Sequence, residues 1–153
     1  MVKVGTAQEM RRAVEKVTPQ ADALVMAAAV ADYRPTKAAK DKIKKGEAGL
    51  TLKLECTPDI LGSVKGNFIK VGFAAESSNL VENAKQKLQQ KGLDFIVVND
   101  ITASDSGFGS DSNRVTIIDR GGKIDSLPLM AKREVAERVL DRVVELLPKP
   151  KSR

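Results

Sequence analysis

The 153-residue chain contains no histidine and no tryptophan. Without histidine, the commonest general base and the commonest metal ligand are both missing. Proton transfer is left to carboxylates, lysines, Tyr33 or a group on the substrate. Cys56 is the single cysteine, so no intramolecular disulfide can form. A thiol nucleophile usually needs a histidine partner, so Cys56 reads as a packing or neutral residue. Four phenylalanines and one tyrosine are the only aromatics, too few to suggest the stacking surfaces of a nucleic-acid binder. No apolar run approaches the roughly 20 residues that span a bilayer, and no signal peptide opens the sequence. These absences favour a cytoplasmic protein with neither nucleic acid nor membrane as partner.

What is present fits one globular domain. Apolar residues make up 42% and charged residues 30% of the chain, ordinary values for a folded protein of this length. The formal charge of +6 suits an anionic ligand. Its distribution says more than its sum. Arg34, Lys37, Lys40, Lys42, Lys44 and Lys45 crowd one segment, opposed within it by Asp41. A second group is Lys85, Lys87 and Lys91, and residues 149–153 form a basic tail beyond Pro148.

Periodicity gives an order of elements. Thr6 with Glu9 forms a capping box, and Met10, Ala13, Val14 and Val17 share one face, which predicts a helix over 6–17. The continuous apolar run 23–31 predicts a strand buried on both faces. Residues 33–49 are polar and cationic without a period. Leu50, Leu52 and Leu54 alternate with polar residues, which predicts a half-buried strand over 50–54. Thr57 as N-cap with Pro58 at the first position predicts a short helix in PDILGSV. Further strands are expected over 68–74 and 95–98, with an amphipathic helix over 80–90 that ends at Gly92. Residues 104–113 read as a loop, and 115–118 with 123–127 flank DRGG as a hairpin. A last helix spans 132–147, with Val135, Val139, Val143 and Leu146 at helical spacing. Alternating strands and helices predict an α/β fold: a mainly parallel sheet in three layers, α/β/α, with a basic flap and a C-terminal hairpin.

Polar residues stand at three expected strand exits: Asp32, Glu76 and the pair Asn99 and Asp100. Right-handed crossovers would bring these exits to one edge of the sheet, where open α/β sheets bind ligands. Asp32 followed by a cationic loop suggests a phosphate-bearing ligand.

The segments AAVADYRP, KIKK, TPDIL, VGFAAES, KLQQKGLD and VVND occur in that order, followed by SDSNRVTIID and LPLMAKREVAERVLD. Together they resemble the phosphopantothenate–cysteine ligase family, over nearly the whole chain from Thr6 to Leu147. The resemblance implies a Rossmann-like α/β/α domain acting in coenzyme A biosynthesis. It implies CTP as co-substrate with Mg²⁺, and 4′-phosphopantothenate and cysteine as the other substrates. In the family's reaction, the phosphopantothenate carboxylate attacks the α-phosphorus of the nucleotide and pyrophosphate leaves. The cysteine amine then attacks the resulting acyl-cytidylate and releases CMP. Such chemistry relies on alignment and charge neutralisation, so the missing histidine is no obstacle.

The resemblance carries roles to particular residues. Asp32 matches the family acid at the nucleotide; read without the family, it is a strand-end acid capping a turn. Ala27 and Ala28 match small residues that let backbone approach the nucleotide, and read equally well as strand alanines. Lys42 matches the flap lysine that closes over the acyl-nucleotide and stabilises developing charge, the catalytic role, with Lys44 as runner-up. Pro58, Asp59, Ile60 and Leu61 match the family's PDIL, at a helix start that independently suits an anion. Phe73 matches a nucleotide-contacting phenylalanine and reads equally well as core. Lys87 and Lys91 match two lysines, one helical turn apart, that clamp the triphosphate. Asn99 and Asp100 border the same edge with no assigned role. No metal-ligating cluster is expected.

The departures from the family pattern also carry expectations. Nothing like the family's ISN-x-SSGKMG segment occurs, nor a preceding flavin-dependent decarboxylase domain, the place of FMN in bacterial relatives. The expectation is a partial ligase domain over 1–148, with the flap at 33–55, that retains the nucleotide half of the site and has lost turnover by itself. The flap and its strand imply a homodimer. The rival reading is a non-catalytic nucleotide- or flavin-binding module of Rossmann-like fold.

Overall fold

In a computed structural model, residues 1–37, 39, 41–44, 49–100 and 111–148 are described. The basic tail, most of the expected loop over 104–113 and parts of the flap lie outside these residues, as does the Asp100 side chain.

The first helix, α1 (Ala7–Val17), is capped by Thr6, whose side chain accepts from the Glu9 amide, while Glu9 accepts from the Gly5 amide. Met10 and Val14 pack on the core, but Val17 is turned outward. One 3₁₀ turn (Thr18–Gln20) leads into β1 (Ala23–Met26). The chain then forms β2 (Tyr33–Pro35), β3 (Leu54–Cys56), α2 (Ile60–Ser63), β4 (Ile69–Glu76), α3 (Leu80–Lys91) and β5 (Phe95–Asp100). The two-residue β6 (Ser112–Asn113), the hairpin strands β7 (Val115–Asp119) and β8 (Ile124–Ser126), the short β9 (Met130–Ala131) and α4 (Lys132–Leu146) complete it.

The central sheet has the order β1-β4-β5-β7-β8. Pairings β1–β4 and β4–β5 are parallel, while β5–β7 and β7–β8 are antiparallel. Four strands therefore run one way and β7 runs against them, so the sheet is mixed but mainly parallel. Alternation along β5 divides two cores. Ile96 and Val98 face a cluster with Ala84 and Leu88 of α3, Ile60 and Leu61 of α2, and the inner side of α1. Phe95 and Val97 face Val135, Val139 and Val143 of α4. This is the expected three-layer α/β/α arrangement.

Three expected elements are shorter or shifted. The run 23–31 is strand only to Met26, because the last β1–β4 pair is Met26 with Gly72. Beyond it β4 pairs with β5, and the alanines, poor strand formers, turn away across the sheet edge. Nor is β1 buried on both faces: it is an edge strand, and Val25 is exposed. The strand expected over 50–54 begins at Leu54 and ends at Cys56, since its antiparallel partner β2 has three residues and closes at a proline. Leu50, Leu52 and Leu54 are exposed rather than half-buried, and Cys56 is exposed rather than packed. The helix in PDILGSV is capped by Asp59, not Thr57, so Pro58 precedes the cap. Thr57 is engaged elsewhere: its hydroxyl donates to the Ala31 carbonyl and its amide to that of Asp32.

The helix over 80–90 and its left-handed Gly92 cap, the hairpin and α4 match expectation. Residues 112–113, expected in a loop, pair with β9 instead.

Candidate functional site

A cavity of about 460 Å³ opens at the carboxyl ends of β1 and β4. Three pieces of chain enclose it. One is the segment after β1, contributing Ala28, Val30 and Asp32. It is held in place by the two Thr57 hydrogen bonds, which tie residues 31–32 to the approach of α2. The second is Pro58 to Leu61, entering α2. The third is the end of β4 with the facing side of α3, contributing Phe73, Ala74, Ala75, Lys87 and Lys91. Close packing beneath the cavity depends on Gly72. A Cβ there would stand 2.8 Å from Leu93 Cδ1 and 3.1 Å from Leu61 Cδ2.

The two lysines are already engaged with carboxylates. Lys87 Nζ donates to Glu76 Oε1 at 2.6 Å, and Lys91 Nζ donates to Asp59 Oδ1 at 3.1 Å. Glu76 also accepts from Asn83 Nδ2 at 3.0 Å on its other oxygen. Burial alone would raise the Glu76 pKa, but the bonds from Lys87 and Asn83 and the lysine's charge outweigh it and hold the group below its ordinary value. Asp59 Oδ1 takes the Gly62 amide as well, so the first turn of α2 spends that N–H internally. The anion site expected at the start of this four-residue helix thus has one of its amides already spent, and the ammonium groups nearby belong to α3.

Nine of the eleven residues assigned to the nucleotide by resemblance border this one cavity: Ala28, Asp32, Pro58, Asp59, Ile60, Leu61, Phe73, Lys87 and Lys91. Phe73 is 39% exposed and is not core. It shares strand parity with Val71, but α4 does not cover it at the strand exit. Ala27 and Lys42 are not among the described lining residues. Lys42 is exposed in the segment joining β2 to β3. Within the flap, Arg34 pairs with Glu55 at 2.8 Å across β2–β3, so it is not a free member of the cationic cluster. Asn99 belongs to β5 proper, in register with Ala75 and Val115, and does not line the cavity. Sequence reasoning placed Glu76 at a sheet exit without its partners, gave Thr57 a different task, and missed Asn83. The Asn83–Lys87 spacing of four residues was a usable sign of a shared helix face; the Glu76 contact, from strand to helix, had no local signal.

The other end of the sheet holds a larger hollow, about 670 Å³, bordered by Lys70, Asp94 and Arg120. Two of its cations bond main chain. Lys70 Nζ donates to the Val64 carbonyl at 2.6 Å and the Lys91 carbonyl at 3.4 Å, and Arg120 donates to the carbonyls of Gly92 and Leu93. These contacts satisfy carbonyls at the ends of both α2 and α3.

Residues 1–147 match the family described as DNA/pantothenate metabolism flavoprotein C-terminal domain. The chain belongs to this family. It is 41% identical over 148 residues to the coenzyme A biosynthesis bifunctional protein CoaBC of Bacillus subtilis, covering 95% of this chain and 36% of that protein. It is 38% identical over 151 residues to a protein named cysteine/cysteine sulfinic acid decarboxylase, from an unknown prokaryotic organism, covering 96% of this chain and 42% of that one. The crystal structure of the C-terminal domain of CoaBC superposes with a TM-score of 0.76 at 34% identity, covering 95% of this chain and 64% of that structure. The chain thus spans about two fifths of the curated family relatives it matches. Its sheet and layers are those of the family.

Proposed function

We propose that this domain binds CTP in the cavity between β1, β4 and α3, as the nucleotide-handling part of a phosphopantothenate–cysteine ligase in coenzyme A biosynthesis. The observation that carries this reading is the convergence of nine family-matched residues on one hollow containing two ammonium groups. The 41% identity to a bifunctional coenzyme A biosynthesis protein supports the pathway.

Each wall has a task. Lys87 and Lys91 neutralise phosphate oxygens of the triphosphate. Asp32 accepts from the ribose or the base, and the small side chain of Ala28 lets the ligand approach the backbone. Lys42 is carried on the flap and closes over the α-phosphate, where its charge stabilises the transition state of acyl-cytidylate formation. Among the described residues no cluster of three metal-ligating side chains occurs. Mg²⁺ would be held there mainly through the substrate phosphates, which need few protein ligands. When bound, it would supply charge neutralisation at the phosphates.

The flap also favours a homodimer. All six residues of β2 and β3 are exposed, and Tyr33, Leu50, Leu52 and Leu54 are each more than half exposed. A two-stranded ribbon is marginal alone, and a second copy would extend and cover it. Sedimentation at high concentration is expected to show a dimer; monomer throughout would overturn this part.

Calorimetric titration with CTP, ATP and GTP in the presence of Mg²⁺ tests the nucleotide site, with selective CTP binding expected and no binding of any of them overturning it. In a longer ligase, Lys42→Ala is expected to lower turnover by about a hundredfold or more, with a smaller change in CTP affinity. A binding module without chemistry would show no turnover to lose.

A further inference from the structure

Lys87 and Lys91 differ in where their acids stand. Asp59, the partner of Lys91, lines the cavity and its side chain is 52% exposed, so an incoming phosphate meets that carboxylate directly. Glu76, the partner of Lys87, is not among the described lining residues, and its side chain is 10% exposed. It sits behind the ammonium. Glu76 is fixed in turn. It ends β4, and its second oxygen takes Asn83 Nδ2, which also donates to the Ser78 carbonyl at 3.1 Å. Asn83 and Lys87 are four residues apart on α3, so one helix face grips both carboxylate oxygens. An ammonium has three N–H donors, and Glu76 engages one of them.

We propose that Glu76, held by Asn83, is a positioning residue that fixes the Lys87 ammonium at the cavity wall before the ligand arrives, leaving two donors for a nucleotide phosphate. The inference rests on the cavity being the CTP site. A free lysine stem must lose its rotamer freedom on meeting a phosphate; one already held by a recessed carboxylate has lost it in folding. The arrangement commits to a sign. If Glu76 served only to neutralise Lys87, removing its charge would strengthen anion binding. If it positions Lys87, removing it weakens binding.

The experiment is a double-mutant cycle on the 153-residue chain, read by calorimetric CTP titration with Mg²⁺. Glu76→Gln keeps the size of the side chain but presents an amide N–H₂ to one of two donors. It is expected to weaken CTP binding about fivefold, and Lys87→Met about tenfold. The double variant is expected to be no weaker than Lys87→Met alone, since Glu76 acts through Lys87. Asn83→Ala leaves the ion pair in place and is expected to lose about two- to threefold; it serves if Glu76→Gln does not fold. The ammonium is followed separately by ¹⁵N NMR of the free protein, with a slowly exchanging Lys87 signal expected in the unaltered chain and lost in Glu76→Gln. Unchanged or tighter CTP binding by Glu76→Gln, with Lys87→Met weakened, overturns the positioning role. Unchanged binding by Lys87→Met overturns the nucleotide reading, while the NMR signal still reports whether Glu76 holds the ammonium.

Discussion

At the amino end of β4, Lys70 lies beneath the ends of α2 and α3 and gives its protons to main-chain carbonyls. At the carboxyl end, Lys87 reaches the wall of an open cavity with a carboxylate behind it and space in front. Both are lysines beside the same strand. Burial lowers the pKa of Lys70, against the opposing pull of Asp94 and Asp59, and two of its three donors go to main-chain carbonyls. Lys87 is 45% exposed and its neighbouring acid carries the burial instead. The acids divide in the same way. Asp94 and Asp119 are paired with Arg120 and Arg142 at the amino end, while Asp32 and Asp59 line the cavity. Lys87 is set for a ligand because its partner stands behind it and its remaining donors face open space, whereas Lys70 is buried against main chain.

The sharpest break of this comparison is to remove both cavity cations. Lys87→Met with Lys91→Met is expected to weaken CTP binding about a hundredfold, equivalent to about 2.7 kcal/mol, with some loss of stability because Glu76 loses its ion-pair partner. Calorimetry and thermal unfolding together check it. Lys70→Met is expected to do the reverse. It leaves the Val64 carbonyl without its partner and should lower stability by about 1–3 kcal/mol in urea unfolding, with CTP affinity unchanged. Gly72→Ala lies between the two ends. Its methyl would press on Leu93 and Leu61, and a loss of about 1–2 kcal/mol is expected, with a detectable effect on the cavity because Leu61 lines it.

The smallest expected effect is on pH dependence. Glu76 and Asp119 both have pKa values lowered in the fold, from ordinary values of 4.5 and 3.8. Groups of this kind add stability that is complete above the ordinary pKa and disappears as pH falls through the folded value. Stability is therefore expected to decline as pH drops below 4.5, and Glu76→Gln should flatten the upper part of that decline. Denaturant midpoints measured across this range check it.

Much of the fold was legible because its signals are local. Thr6 and Glu9 mark the start of α1, Gly92 the end of α3, and the four-residue valine spacing the buried face of α4. The misreadings share one cause. A run such as Ala27–Ala31 is apolar enough for a strand, but a strand lasts only while a neighbour pairs with it, and β4 leaves β1 at Gly72. Leu50 and Leu52 alternate as a strand should, but the partner β2 is too short to reach them. Thr57 has the chemistry of a cap, yet its hydroxyl found a carbonyl 26 residues earlier.

The site divides along the same line. Sequence alone determined which residue types stand at each exit from the sheet, and their ordered spacing carried the family. Tertiary structure alone decided that Asp32, Asp59, Lys87 and Lys91, spread over 60 residues, share one cavity. It also decided that Glu76 rather than Asp32 holds Lys87. Spacing along a chain reports on neighbours within one helix or strand. Contact between a strand end and the helix face packed beside it depends on how two apolar surfaces dock, and no local pattern records that.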